Sequence, residues 1–568
     1  MMRFLTLCAA CALAAPVLAQ KDSIVRDGEY RFLEAQFGEQ WAKQDAAIDS
    51  RLAEIRKANG GQPPNILYIL IDDVSFGQMG SRTLNYVTGV DTPNINDLAT
   101  EGLSMMRMYT EPSCTPTRTA MLTGRHPIRA GVKEVKVALV GEGLSAQEVT
   151  IAEVLKKVGY NTAHIGKWHQ GDIEQAYPHN QGFDVAFFPL HQQVQLSLMT
   201  REAMSANNML GYDLSGQSNQ FNMDKRFRPY GLVTGVEGKA GGKAREVDLK
   251  PGEEWTQAHY ERMNERYQTQ ALEQLERLAA KDEPFFLQYW PLYPLNFVHP
   301  DQAISRNGGF HADKLQLLDG WIGELLAKLD ETGKADNTIV MYSTDNGAEA
   351  FLWPDGGNTP FRNEKNSNWD GGYRVPTLIR WPGVIKPGSI FNDVFSHEDM
   401  LPTFLAAVGE ADIKEKLMKG HQAIGRDYKV HLDGYNLMPY LKGEVEEAPR
   451  KEFFYWSDDG NLTGLRYGRW KMVFMEQRAH GFEVWQEPLV TLRVPKLIDM
   501  RGDPFERADH EAESYNVWRF ERAFLILPAV DYVAQHLATY KEFPPRQAPG
   551  SFNLDQVLET LQSNPTSN

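Results

Sequence analysis

Asn65 opens the run Ile66-Leu67-Tyr68-Ile69-Leu70-Ile71, which is apolar without a break and stops at Asp72-Asp73. A strand with one wet face alternates polar and apolar residues; a strand covered on both faces does not. The run therefore reads as a central parallel strand. Thr162–Ile165, Pro284–Trp290 and Thr338–Ser343 have the same character. Between them, Ile151–Val158, Tyr267–Ala280 and Asp313–Asp330 carry helical spacing. Strands alternating with helices predict an α/β fold, a large mostly parallel sheet flanked by helices.

The flanks differ in pattern. Asp27–Ala58 is polar with helical spacing, and Gly60-Gly61-Gln62-Pro63-Pro64 ends it. Residues 20–61 thus form a helical extension ahead of an α/β domain at 62–430. Residues 190–260 are rich in Gln, Asn, Ser and Met and read as an insertion over the sheet rim that shapes a substrate site. Glu452–Ser457, Thr463–Tyr467, Trp470–Phe474 and Leu497–Met500 are short strands parted by turn residues, and Val530–Tyr540 is a late helix. They predict a small C-terminal α+β subdomain at 431–568.

The 568 residues are 42% hydrophobic and 24% charged, which excludes a disordered or collagen-like chain. A net charge of −16 argues against a generally basic nucleic-acid binder. Residues 1–19 read as a secretory signal: Arg3, a short apolar run from Phe4 to Ala15, then Val17-Leu18-Ala19. That run is too short to span a bilayer. The expected location is secreted or periplasmic, with no membrane span. Of the three cysteines, Cys8 and Cys11 leave with the signal, so Cys114 has no partner in an oxidising compartment. It is buried and inert, intermolecular, or chemically special.

Ligands of open α/β sheets bind beyond the carboxyl ends of the strands. Asp72-Asp73, Gly166-Lys167-Trp168-His169 and Asp345-Asn346-Gly347 all fall there. Asp-Asp and Asp-Asn-Gly are also ordinary turn formers. Two such groups at two strand ends point instead to an all-oxygen site for Ca²⁺ or Mg²⁺, built from Asp72, Asp73, Asp345 and Asn346.

Cys114-Thr115-Pro116-Thr117-Arg118, followed by Leu122-Thr123-Gly124-Arg125, resembles the signature of the sulfatase family, in the alkaline-phosphatase-like superfamily. Thr117 stands where Ser is usual and keeps the hydroxyl. Gly166–His169, Asp345–Gly347, Thr359–Lys365, Trp369–Pro376, His397–Asp399 with Leu401-Pro402-Thr403, and Leu497–Glu506 resemble further family segments in order, over roughly residues 62–510.

The resemblance implies an alkaline-phosphatase-like sheet and hydrolysis of a sulfate ester, aryl or carbohydrate. It implies that a separate maturation enzyme oxidises Cys114 to formylglycine, which also accounts for the lone exported cysteine. The hydrated aldehyde offers one hydroxyl to attack sulfur and a second to expel sulfate. Residue 114 then joins the metal ligands. Arg118 orients the diol, His169 takes its proton, and Lys167 and Lys365 bind the sulfate.

The family places a further His, which protonates the leaving group, near Leu295 or Asn296 of this chain. His299 lies a few residues later. Either a shifted loop brings His299 to the site, or Asn296 substitutes as a donor, or the activity is altered. Two other functions stay open on the sequence: a phosphodiesterase or phosphonate monoester hydrolase of the same superfamily, and a non-catalytic binder of sulfated ligands. Trp353, Trp369 and Tyr373 either line a pocket or belong to the core.

Overall fold

The predicted central strand is β1, Asn65–Ile71, and its side chains leave in alternate directions. Ile66, Tyr68 and Leu70 enter one buried cluster; Leu67, Ile69 and Ile71 enter another. Both faces are dry, so no polar residue interrupts the run. Each such side chain contributes roughly 1.5–3 kcal/mol on burial. The structure, a computed structural model, describes residues 28–132, 142–189, 236–246, 257–294, 310–350 and 356–545.

The main sheet continues with β2 (Leu103–Tyr109), β3 (Asn161–Gly166), β4 (Val185–Phe188), β5 (Val236–Lys239), β6 (Arg245–Glu246), β7 (Phe285–Trp290), β8 (Thr338–Thr344), β9 (Arg374–Arg380), β10 (Ser389–Phe391) and β11 (Phe395–Ser396). Among the described residues these eleven strands lie in the order β10-β2-β9-β8-β1-β7-β3-β4-β5-β6, with β11 also on β2. The centre, β8-β1-β7-β3-β4, is parallel throughout. β9 runs antiparallel to both β8 and β2, and β5 runs antiparallel to β4. The sheet is mixed at its margins and parallel where the predicted site lies.

Helices cover both faces. Met263, Tyr267, Ala271 and Leu275 of Gln257–Ala279, with Leu315, Leu318, Ile322 and Leu325 of Phe310–Glu331, pack on the Leu67 face. Met121, Leu122, Ile151, Val154, Leu155 and Phe404 pack on the Tyr68 face. Ile151–Lys157 starts with a capping box in which Thr150 accepts from the Glu153 amide at 3.2 Å. The helix predicted from Tyr267 begins earlier, at Gln257.

The extension forms a helix, Gly28–Ala58. Up to Ser50 it is a unit by itself, with Phe32 and Phe37 exposed. In the larger unit, Leu52 and Ile55 are buried and Arg56 Nε donates to the Gly383 carbonyl at 2.8 Å. The signal segment lies outside the described residues. So does most of 190–260, whose described part carries the edge strands β5 and β6.

The late chain adds a two-stranded hairpin, β12 (His421–Ala423) and β13 (Arg426–Tyr428), and an antiparallel sheet of β14 (Glu452–Trp456), β15 (Leu462–Tyr467), β16 (Trp470–Glu476) and β17 (Val490–Asp499). Ile526–Glu542 is the late helix. A buried polar network joins the antiparallel sheet to the main one. Asp370 accepts from Tyr109 at 2.8 Å, Tyr455 at 3.0 Å and Lys471 at 3.3 Å. Glu506 accepts from the Asp370 amide at 2.7 Å and pairs with Lys471 at 2.5 Å. Trp369 and Tyr373 are fully buried in this region, so they are core residues and not a pocket wall. Trp353 lies outside the described residues.

Candidate functional site

Register brings the acids together. Ile71 pairs with Thr344 across β1 and β8, and the Asp345 amide donates to the Ile71 carbonyl at 3.1 Å. The two chains therefore leave the sheet side by side, one with Asp72-Asp73, the other with Asp345-Asn346. All four side chains are buried. Asp73 adopts a left-handed φ of 57°, and Asn346 Nδ2 donates to its Oδ1 at 2.7 Å. Gly347 follows because a Cβ there would meet the Gly371 carbonyl at 1.9 Å. The Asp-Asn-Gly and Asp-Gly-Gly segments pack backbone to backbone.

The predicted cysteine is the first residue of the Cys114–Thr123 helix. Its Sγ lies 3.2 Å from Lys365 Nζ and 3.9 Å from Asp73 Oδ1. Cys114, Asp72, Asp73 and Asp345 offer ligand atoms that all lie within 4.8 Å of one another. One turn on, Arg118 is fully buried and makes a fork. Nη2 and Nε donate to Asp345 Oδ2 at 2.7 and 3.0 Å, and Nη1 donates to the Lys167 carbonyl at 2.9 Å. Its guanidinium carbon lies 5.0 Å from the centre of the Trp290 ring.

Lys167 arrives from the end of β3. Gly166 turns with φ of 109°, and a Cβ there would lie 1.9 Å from the Trp290 carbonyl oxygen. The Lys167 amide donates to that same oxygen at 2.7 Å, and its Nζ reaches Asp72 Oδ1 at 2.5 Å. Gly166→Ala must break this packing and adopt a conformation that L-residues rarely take. It is expected to lose at least about 2 kcal/mol, read from the midpoint of urea unfolding. His169 is buried with φ of 57°, and Gln170 Nε2 ties its turn to the helix by donating to the Thr115 carbonyl at 3.1 Å.

Lys365 Nζ donates to Asp73 Oδ1 at 2.6 Å and also pairs with Glu349. The Asn366 amide donates to the Pro112 carbonyl at 2.8 Å, fixing the lysine segment against the turn before Cys114.

The electrostatics show a site crowded with acids. Burial, then Asp73, pushes Asp72 up to about 7, against Lys167. Burial also opposes the charge of Asp345, yet Arg118 and Lys167 hold it below the ordinary carboxylate range. Burial pushes the Cys114 thiol well up, outweighing Lys167 and Lys365. Asp72 Oδ2 and Asn346 Oδ1 are buried without a hydrogen-bond partner among the described residues. Two orphaned oxygens beside two further carboxylates fit a hard divalent cation with oxygen ligands.

Eight of the residues singled out by sequence thus converge: Asp72, Asp73, Cys114, Arg118, Lys167, Asp345, Asn346 and Lys365. His169 sits on the adjoining turn. His299, with Leu295 and Asn296, lies outside the described residues. Sequence reasoning missed Glu349, four residues after Asp345, which pairs with Lys365 and is pushed up to about 8 by burial and Asp73. It also gave His397 no part. That imidazole is hydrogen-bonded to Tyr68 OH at 2.8 Å and the Thr344 carbonyl at 3.2 Å, and burial lowers it to about 4. It links Tyr68 in the middle of β1 to Thr344 at the end of β8.

Comparison with known proteins gives the same answer from independent sequence. The Sulfatase family model matches residues 64–410. Steryl-sulfatase of Rattus norvegicus is 31% identical, with 89% of this chain and 94% of that protein covered. Arylsulfatase A of Homo sapiens is 31% identical, covering 78% of this chain and 83% of its own. The crystal structure of the PsFucS1 sulfatase from Pseudoalteromonas sp. superposes with a TM-score of 0.72 at 25% identity, over 89% of this chain and 96% of that one. A match across more than half the chain, in the segments that build this site, makes the assignment plain: the chain belongs to the sulfatase family, enzymes that hydrolyse sulfate esters.

Proposed function

We propose that this sulfatase is exported and hydrolyses an aryl or carbohydrate sulfate ester, with formylglycine made from Cys114 by a maturation enzyme and with a calcium ion at the acidic cluster. The observation that carries the reading is the meeting of Cys114 with three carboxylates inside 4.8 Å, under a lysine 3.2 Å from Sγ. When present, the two groups supply a geminal-diol nucleophile and Lewis-acid charge.

The chain's own residues do the rest. Asp72, Asp73, Asp345 and Asn346 would hold the ion, together with residue 114. Arg118 holds Asp345 and orients whatever stands at 114, because its fork is fixed at three nitrogens. Lys167 and Lys365 present ammonium groups to the sulfate group and to its bridging oxygen, on which negative charge develops as the ester bond breaks. His169 takes the proton from the attacking hydroxyl, and His299 is the donor proposed for the departing oxygen. Export rests on residues 1–19; among the described residues, no helix is long and apolar enough to cross a membrane.

An aryl sulfate and an aryl phosphodiester, offered separately, test the reading. The sulfate is expected to turn over faster. Removing divalent ions with a chelator is expected to lower kcat at least about 1000-fold, the equivalent of several kcal/mol of charge stabilisation, and added Ca²⁺ restores it. Faster turnover of the phosphodiester would favour the phosphoryl-transfer alternative. Binding of sulfated ligands without turnover, in protein carrying formylglycine, would make the chain a binder.

A further inference from the structure

A second buried ligand set lies apart from the Cys114 centre and shares no residue with it. Glu111, His126 and Glu398 each offer one atom, and these atoms lie within 4.8 Å of one another. The residues are 1%, 4% and 3% exposed. Three separate segments supply them. Glu111 belongs to the turn after β2, His126 precedes the short Pro127–Ala130 helix, and Glu398 sits in the 3₁₀ turn His397–Asp399.

Their hydrogen bonding is incomplete. Both oxygens of Glu111, both ring nitrogens of His126 and Oε1 of Glu398 are buried without a hydrogen-bond partner among the described residues. His126 Nε2 and Glu111 Oε2 stand 3.5 Å apart. Only Glu398 Oε2 is engaged, accepting from Arg450 Nη2 at 3.0 Å. Native interiors rarely leave so many polar atoms of one cluster without a protein partner.

A cavity of about 310 Å³ borders the cluster, with His126, Glu398, Asp433, Arg450 and His536 on its wall. It has room for water to complete a coordination shell. The cations on that wall each have a partner, although Arg129 Nη1 has none among the described residues. Arg129 pairs with Asp433 at 2.8 Å, Arg450 with Asp399 at 2.7 Å, and Lys414 donates to the Gly434 carbonyl at 3.0 Å. The orphaned atoms of Glu111 and Glu398 are acceptors, which a cation seated among them would satisfy.

We propose that Glu111, His126 and Glu398 bind a divalent first-row metal ion of the zinc type. One imidazole nitrogen with two carboxylates is the donor mix such ions take, whereas Ca²⁺ takes oxygen alone. The cluster's electrostatics run the same way. Burial and then Glu398 push the Glu111 carboxyl well up, and burial holds the His126 imidazole neutral.

The ion would act by position. The Glu111 amide donates to Thr117 Oγ1 at 2.9 Å, inside the helix that starts at Cys114. His126 lies just beyond the other end of that helix. Metal binding would clamp both ends of the segment carrying Cys114 against the 397–399 turn. It requires neither formylglycine nor turnover, so it stands or falls independently of the proposed reaction.

Full-length protein is stripped with a chelator, saturated with Ca²⁺, and titrated with Co²⁺ by calorimetry and visible absorption. One further equivalent of Co²⁺ is expected, with a ligand-field band. His126→Asn and Glu398→Gln are each expected to weaken it at least about 100-fold, the upper range reached when even an outer partner of a metal site is lost. X-ray absorption of the Zn²⁺-loaded wild-type chain needs no variant, and is expected to show one imidazole among oxygen ligands. No binding to the Ca²⁺-saturated protein, undiminished binding in both variants, or a shell of several imidazoles or sulfur would overturn the proposal.

Discussion

Cys114→Ala is expected to lower kcat/KM for sulfate-ester hydrolysis at least about 10⁴-fold, the scale on which an enzyme fails when its nucleophile is removed. The fold is expected to survive. Cys114 is buried, but only one sulfur is lost, and its nearest cation keeps its partners: Lys365 still pairs with Asp73 and Glu349. A normal thermal transition with activity at the background level is the expected pair of results. Substantial residual turnover would mean that residue 114 does not react. Loss of the fold would mean that the thiol is structural, the inert alternative the sequence left open.

Arg118→Ala is expected to fail differently. Its guanidinium is fully buried, forks onto Asp345 Oδ2 at 2.7 and 3.0 Å, and caps the Lys167 carbonyl at 2.9 Å. Removing it leaves the buried Asp345 without its principal counter-charge. Breaking a buried pair from one side costs about 3–5 kcal/mol, read from the urea midpoint. Activity is expected to fall with it, because Asp345 and the residue at 114 lose their orientation. Arg118→Lys keeps the charge but not the fork, and is expected to recover stability more than activity. Equal recovery of both would reduce Arg118 to a point charge.

The parallel core of the fold was legible because burial on two faces leaves a mark in one dimension. The unbroken run Ile66–Ile71 could be nothing else once Asp72-Asp73 ended it, and the same held for Phe285–Trp290 and Thr338–Thr344. β2 and β9 went unread. Leu103–Tyr109 mixes Ser104 and Arg107 into a Met-rich run, and Pro376 sits inside Arg374–Arg380, where it argues against a strand. The Cys114–Thr123 helix was hidden by its threonines and by Pro116, which a first helical turn tolerates.

The site followed the same division. Asp72, Asp73, Asp345 and Lys167 were found because strand ends converge by topology alone. Lys365 and Arg118 needed the family resemblance, since neither lies at a strand end. Glu349 and His397 were invisible as site residues: an acid four residues after Asp345 and a His among acids carry no mark of the pairing that tertiary packing gives them. The Glu111–His126–Glu398 cluster draws on three distant segments, with no spacing that a single sequence could show.

The central claim is that residue 114 is chemically changed before it acts. Protein from its own host, or coexpressed with a maturation enzyme, can be digested with trypsin and the peptide Met108–Arg118 weighed by mass spectrometry. Loss of the thiol and appearance of an aldehyde at residue 114 is the predicted result. An intact Cys114, under conditions where a known sulfatase is converted, would contradict it.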